Sequence, residues 1–159
     1  MWNASAQNAY PQIFLHDCRV CGIQMDGDDL IFRFDENGFW ISEQDPRNPY
    51  GMTLRTDVSI IRLTNCDFAY MSFYLFREVR LFGHLLFTKR VPVSFAKLGK
   101  LLRRGKCSME FVSELYATHT AEFHGYLHGI AKRSVEWQLH AFYEDMVYAW
   151  NEICPEKPL

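Results

Sequence analysis

Two cysteines near the start of the chain have a spacing that zinc sites use. Cys18 and Cys21 are three positions apart and are followed by Gly22, which corresponds to half of a zinc knuckle. A closed structural site needs four ligands, and the chain has no second cysteine pair of this spacing. Residues three apart on an extended strand also point to opposite faces. We therefore interpret both thiols as packing groups and predict no metal site, with zinc as the alternative.

Two histidines raise the same question later in the chain. His124 and His128 are four positions apart, a metal-ligand spacing on a helix, but zincins need Glu directly after the first His and Gly125 stands there. On a strand the two imidazoles would lie on one face about 13 Å apart, too far for one ion. We interpret them as solvent-facing or hydrogen-bonded side chains, and the metal interpretation stays open while the element type is open.

Three consecutive residues supply the parts of a nucleophilic site. His16, Asp17 and Cys18 are a base, an orienting carboxylate and a nucleophile by type, but neighbours on a strand face opposite ways. The chain has no Gly-x-Ser-x-Gly elbow and no glycine-rich phosphate loop. The sequence therefore favours a protein that is not an enzyme, and we predict no catalytic residue and no cofactor.

A basic run is the strongest local charge feature. It consists of Lys97, Lys100, Arg103 and Arg104. One interpretation is the solvated face of an amphipathic helix. The other is a docking face for an acidic protein, where complementary charge speeds association more than it deepens affinity. We take these four residues as the candidate partner-binding site. Charge reversal at Lys100 and Arg103 is expected to slow association without unfolding the protein.

The aromatic content suggests a second kind of site. The chain has 13 Phe, 8 Tyr and 4 Trp, and rings serve cores, interfaces and ligand clefts alike. Residues 44–55 are rich in breakers and predict a loop. The second functional hypothesis is a small-ligand-binding domain or an unrecognised enzyme, with a cleft between the sheet and this loop. Its candidate ligand-binding residues are His16, Trp40 and Tyr50.

The elements that would position these residues are mostly strands. Turn residues at 26–29 and 35–38 separate alternating segments, which predicts a three-stranded antiparallel meander within residues 1–43. Its first strand is predicted at 13–25. Further strands are predicted at 58–63, 68–81, 85–89, 135–142 and 146–150. Residues 68–89 are apolar on both faces, which is typical of a central strand covered on both sides. For residues 108–117 we favour a strand over a helix.

One helix is predicted, between Ser94 as its N-cap and Gly105 beyond its C-terminus. Its apolar stripe consists of Phe95, Leu98, Leu101 and Leu102. The predicted fold class is α+β, with a predominantly antiparallel, strongly curved or barrel-like sheet of about eight strands and this one amphipathic helix. We expect a single domain over residues 1–159, with frayed tails at 1–10 and 155–159.

Bulk properties limit the class of protein. A chain of 159 residues is long enough to bury a hydrophobic core without disulfides or metal ions. Its net charge of −2 disfavours nonspecific nucleic-acid binding. No signal peptide or membrane span is visible, and an odd count of five cysteines is typical of free thiols in the cytoplasm. We predict a small soluble cytosolic protein of bacterial type that binds or neutralises another protein, as an immunity protein or inhibitor does. A homodimer is compatible with this prediction.

Overall fold

The structure is a computed structural model that describes residues 2–105, 107–130 and 133–159. Within these residues it has fourteen strands and one helix. The strands are β1 Ala4–Gln7, β2 Ile13–Phe14, β3 Arg19–Asp26, β4 Asp29–Phe34, β5 Trp40–Ile41, β6 Leu54–Thr56, β7 Ile60–Leu63, β8 Ser72–Leu81, β9 His84–Pro92, β10 Ser108–Ala117, β11 Thr120–His128, β12 Val135–Phe142, β13 Met146–Trp150 and β14 Ile153–Pro158. The helix, α1, spans Phe95–Arg103.

The strands form two antiparallel sheets. The large sheet has ten strands in the order β1-β13-β7-β4-β3-β10-β11-β12-β8-β9, and the small sheet has four in the order β14-β6-β5-β2. The prediction of a mostly antiparallel α+β protein with one helix is confirmed at this level. The prediction of about eight strands in a strongly curved or barrel-like sheet was wrong. A barrel needs its two end strands to pair, whereas β1 and β9 lie at opposite ends of the large sheet.

The predicted N-terminal meander is divided between the two sheets. β3 and β4 do form a hairpin, and Gly27 has the positive φ (60°) that its turn needs. The segment predicted as one strand from residue 13 is interrupted at Asp17, whose φ is 56°. This kink separates β2 from β3, and β2 pairs with β5 in the small sheet, Ile13 opposite Ile41. Alternation identified the strands but not the change of sheet.

The helix begins and ends where the sequence predicts. The Ser94 hydroxyl accepts a hydrogen bond from the Lys97 backbone N–H, and Gly105 has a φ of 62°. Leu98 and Leu102 are buried against the sheet, and α1 packs on β3. Gly99 permits this approach, since a Cβ at that position would lie 2.6 Å from the Ile23 carbonyl oxygen.

The segment 108–117 is a strand, and it contains a β-bulge. The register of β10 with β11 shifts between Phe111 and Ser113. Before the bulge, Phe111 is buried. Beyond it the inward positions pass to Glu114 and Tyr116, while Leu115 is 66% exposed. The bulge is the reason that alternation in this segment is imperfect.

Most of the aromatic residues form the core. Phe111 makes edge-to-face contacts with Trp137 at 5.1 Å and with Phe123 at 5.4 Å between ring centroids, and Trp137 stacks on Phe73 at 5.5 Å. Such pairs add to the stabilisation that burial of the rings provides. Trp150, near the end of the chain, is also buried.

Both ends of the chain include strands, although we expected frayed tails at 1–10 and 155–159. β1 pairs with β13, Ala4 opposite Trp150, and β14 pairs with β6, Cys154 opposite Arg55. The local sequence does not predict β1 and β14, because each forms only by pairing with a strand that is distant in the chain.

Candidate interaction surface

The last two strands of the large sheet form a hairpin that extends past its neighbours. β8 pairs with β12 only from Ser72 to Leu75, whereas its ladder with β9 continues as far as Leu81 and His84. Residues 76–90 therefore form a two-stranded ribbon, which we call the arm. Because β9 is the end strand of the sheet, its outer backbone edge pairs with no other strand in the part of the chain that the structure describes.

The end of the arm exposes large apolar side chains. Phe82, in the turn, is 93% exposed. Four more large apolar residues are each more than half exposed: Leu81, Leu85, Leu86 and Phe87. Single exposed apolar residues are common on protein surfaces, but five within seven positions at the end of one hairpin make it a candidate interaction site.

The prediction of a central strand covered on both faces was wrong for the arm. Both of its faces carry apolar residues, as the sequence indicates, but β9 is exposed along its length except at Val91. Every residue from Arg80 to Arg90 is exposed, whereas Phe76 and Val79, nearer the base of the arm, are half-buried. An apolar run in the sequence indicates side chains that are unfavourable in water. It does not indicate whether the same chain or another molecule buries them.

The arm also carries cations that lack acidic partners. Arg77 and Lys89 are directly opposite each other in the β8–β9 ladder. Arg80 forms an ion pair with Glu78 at 2.8 Å, and this hydrogen bond holds the pKa of the Glu78 carboxyl below its ordinary value. Arg90 packs over the Tyr74 ring at 4.8 Å. Within the described ranges, Arg77 and Lys89 take part in no ion pair.

The next element along the chain, α1, also carries positive charge on its exposed face. Lys97, Lys100, Arg103 and Arg104 are all exposed, as predicted, and α1 begins three residues after β9 ends. Residues 76–104 carry eight Lys or Arg and one Glu, while the rest of the chain carries nine basic and eighteen acidic residues. The segment that runs from the arm to the end of α1 thus carries an excess of positive charge in a chain that is otherwise strongly acidic.

An apolar groove joins the two elements. It has a volume of about 420 Å³ and lies where the base of the hairpin meets the start of α1. Its lining includes Met25, Phe68, Phe73, Pro92 and Phe95. The arm, the groove and the basic face of α1 together define the candidate interaction surface.

The residues proposed for a ligand cleft near the 44–55 loop are only partly brought together. Trp40 is buried, and its Nε1 donates a hydrogen bond of 2.7 Å to the His16 carbonyl oxygen. The Arg55 guanidinium lies 4.0 Å from the centre of the Trp40 ring. Tyr50 lies outside these contacts, in the loop, and is 47% exposed. A ligand site at these residues stays a prediction.

The two candidate metal histidines lie on a strand, β11, and have separate partners. His124 Nε2 is 2.7 Å from a carboxylate oxygen of Glu122. His128 contacts Glu110 through Nε2 and Ser134 through Nδ1. Over residues 2–105, 107–130 and 133–159, no three His, Cys, Asp or Glu side chains converge as a metal ion would require.

The two cysteines of the pair, Cys18 and Cys21, have different environments. Cys18 is buried and Cys21 is exposed, and all five cysteines are free. Burial raises the pKa of the Cys18 thiol to about 12, so the group is protonated at neutral pH. Since zinc binds thiolates, this environment favours the interpretation of Cys18 as a packing residue.

No protein family, curated protein or solved structure matches this chain. The described residues contain no helix that is long and apolar enough to cross a membrane. The function of the chain is therefore inferred from its own surface. Sequence reasoning missed the arm, although residues 81–87 contain the signal: an apolar run with a glycine turn inside it and cations on both sides.

Proposed function

We propose that the chain is a small protein-interaction module whose arm binds an acidic partner protein. The observation that supports this is the group of exposed apolar side chains around Phe82. Burying one Phe or Leu side chain contributes about 1.5–3 kcal/mol. Five such residues at the end of the arm stay exposed in the isolated chain. A partner that covers them would gain this stabilisation on binding.

Charge favours an acidic partner over a second copy of the chain. In a two-fold dimer the same patch meets itself, so Arg77 and Lys89 of one copy would approach the same cations of the other. A partner with carboxylates at this place would instead neutralise both side chains. Complementary charge of this kind raises the association rate and excludes wrong partners.

The open edge of β9 favours a protein over a lipid surface. Its outer N–H and C=O groups are suited to pair with one more strand, a common mode of peptide recognition. Unpaired backbone groups are costly in hydrocarbon, so an arm that entered a membrane would leave this edge unsatisfied. We place the strand of the partner along β9 and its acidic groups near Arg77 and Lys89.

The basic face of α1 has the second role in this proposal. Lys97, Lys100, Arg103 and Arg104 steer the acidic partner toward the arm, and the groove at Phe95 receives an apolar group of the partner. The chain would act in the cytoplasm, for which the five free thiols are the support. Occupying a partner's functional surface in this way is how an immunity protein or inhibitor neutralises its target.

Site-specific photocrosslinking in the host cell tests the proposal. A benzoylphenylalanine replaces Phe82 in one version of the full chain and Tyr50, an exposed residue of the 44–55 loop, in the control. We expect the arm position to form an adduct with one acidic protein and the Tyr50 position to form none with it. The double variant Arg77→Glu/Lys89→Glu should remove the adduct while the chain stays folded.

Four outcomes would contradict the proposal. These are no adduct from the arm, the same adduct from both positions, an adduct with a second copy of the chain only, and arm-dependent sedimentation of the purified chain with phosphatidylglycerol vesicles. The third outcome would make the arm a dimer contact, and the last would make it a lipid-binding element.

A further inference from the structure

Three polar side chains from separate parts of the chain meet on the outer face of the large sheet. Glu110 lies in β10, His128 is the last residue of β11, and Ser134 directly precedes β12. Ser134 Oγ is 2.8 Å from His128 Nδ1, and the Glu110 carboxylate contacts His128 Nε2. A hydroxyl, an imidazole and a carboxylate connected in this order correspond to a nucleophile, its base and the group that orients the base.

The register of the strands explains why these side chains meet. Val135, the first residue of β12, pairs with the residue before His128, so Ser134 lies at the position opposite His128. Tyr126 is opposite Glu110 in the β10–β11 ladder. Because residues two apart on a strand share a face, Glu110 is the diagonal neighbour of His128, a separation that long side chains span.

The carboxylate determines which imidazole nitrogen carries the proton. An ionised carboxylate can only accept hydrogen bonds, so Nε2 of a neutral His128 is the N–H that donates to Glu110. Nδ1 is then an acceptor, and the Ser134 hydroxyl donates its proton to it. This tautomer is the one that a general base needs. The two nitrogens exchange the roles that they have in serine proteases, and the proton transfer is otherwise the same.

The surroundings protect the base and leave the nucleophile accessible. The side chains of His128 and Glu110 are 33% and 18% exposed, whereas Ser134 is an exposed residue. The Tyr126 ring, 44% exposed, lies 6.4 Å from the imidazole between ring centres. It offers an apolar surface to an aromatic group. Since Glu110 and Glu136 are opposite Tyr126 on its two sides, an anionic group is disfavoured there.

We propose that Ser134 is a nucleophile that hydrolyses small uncharged aryl esters, with His128 as its general base and Glu110 as the positioning residue of the imidazole. Ser134 Oγ forms a bond to the ester carbonyl carbon and passes its proton to His128 Nδ1. The bond from this carbon to the aryl oxygen breaks, and the phenol leaves with that proton. Water then attacks the acyl-serine, again giving its proton to His128, and the carboxylic acid leaves as Ser134 regains its hydrogen.

A fluorophosphonate probe tests whether the serine is activated. In this reaction the serine oxygen forms a bond to phosphorus and fluoride leaves, and peptide mass spectrometry locates the adduct. We expect the adduct on Ser134, formed at least about tenfold faster in the folded chain than in urea. His128→Gln should slow its formation by about a hundredfold, since this variant removes the general base. Glu110→Gln should slow it by a smaller factor.

A second histidine on β11 provides the matched control. His124 Nε2 is 2.7 Å from the Glu122 carboxylate, but among the described residues no serine hydroxyl is hydrogen-bonded to its ring. His124→Gln should therefore form the adduct at the wild-type rate. Hydrolysis of p-nitrophenyl acetate, followed by absorbance, tests the ester reaction itself. Ser134→Ala should lose the part of this hydrolysis that exceeds the rate of the chain in urea.

Four results would overturn the inference. They are no adduct on Ser134, equal rates of adduct formation in the folded and unfolded chain, wild-type rates in both His128→Gln and Glu110→Gln, and equal ester hydrolysis by the wild type and Ser134→Ala. If His128→Gln fails to fold, as its melting curve would show, Glu110→Gln decides alone. None of these variants changes a residue of the arm or α1, so failure here leaves the proposed binding of a partner untouched.

Discussion

Arg77 and Lys89 are directly opposite each other across the β8–β9 ladder, with no acidic side chain in ion-pair contact among the described residues. Like charges at opposed positions destabilise an antiparallel pair. The repulsion between these two side chains therefore destabilises the arm locally, and one substitution would remove it. We attribute this arrangement to the partner surface, since an acidic partner turns the repulsion into attraction.

The variant Arg77→Glu converts the opposed pair into one of unlike charge. We expect the arm to gain about 0.2–1 kcal/mol of local stability, measured as slower amide hydrogen exchange in β8 and β9. The same variant should bind the partner more weakly. Arg33→Glu, on an exposed residue of β4, controls for the loss of one positive charge. Faster exchange in the arm of Arg77→Glu would contradict this account of the pair.

Two phenylalanines on the same hairpin should respond differently to truncation. Phe82 is 93% exposed and Phe73 is 2% exposed. Phe82→Ala should change the free energy of unfolding by less than about 0.5 kcal/mol, whereas Phe73→Ala should lower it by about 3–5 kcal/mol. Urea denaturation measures both values. A large loss of stability in Phe82→Ala would mean that the arm packs on its own chain.

Charge reversal on α1 should act on the association rate. Lys100 and Arg103 are exposed on the helix, so Lys100→Glu/Arg103→Glu should leave the melting temperature near that of the wild type. Stopped-flow mixing with the crosslinked partner, once purified, should show slower association and a weaker dependence on ionic strength. Unfolding of this variant would show instead that the basic face is structural.

The stability of the protein should depend on pH through Glu114. Burial raises the pKa of this carboxyl from 4.5 to about 7, against the lowering effect of its hydrogen bonds from Leu15 and Tyr116. Between these two values the folded state keeps a proton that the unfolded state releases. The stabilisation is complete below pH 4.5 and is lost as the pH rises through 7, a change of up to about 3 kcal/mol.

The variant Glu114→Gln removes this titration. Its free energy of unfolding, measured in urea at a series of pH values, should fall less between about pH 5 and pH 8 than that of the wild type. Glu36→Gln, at an exposed residue, is the control. A wild-type profile that rises over this range, or an unchanged slope in Glu114→Gln, would contradict the assignment to Glu114.

Local patterns in the sequence predict the elements well and their partners poorly. The strand 135–142 follows from alternation, and the helix after Ser94 follows from its N-cap and from the glycine beyond its C-terminus. The separation of β2 from β3 depends on the backbone at Asp17. The pairing of β1 with β13 joins residues more than a hundred positions apart, a distance at which alternation carries no information.

The candidate sites depend on the same kind of long-range placement. The exposure of four basic residues was predictable because it follows from helical spacing; they are Lys97, Lys100, Arg103 and Arg104. The arm was not, because its apolar residues look the same in sequence whether a second layer covers them or not. The inward position of Tyr116 was not predictable either, because alternation does not reveal the bulge in β10.

The role of the arm in partner binding is tested by the affinity of the crosslinked partner, after purification, for three forms of the chain. These are the wild type, the arm variant Arg77→Glu/Lys89→Glu and the helix variant Lys100→Glu/Arg103→Glu. We expect at least about a tenfold increase in Kd for the arm variant, through faster dissociation, and a smaller increase for the helix variant, through slower association. Wild-type affinity in the arm variant would contradict the assignment of the arm as the partner-binding element.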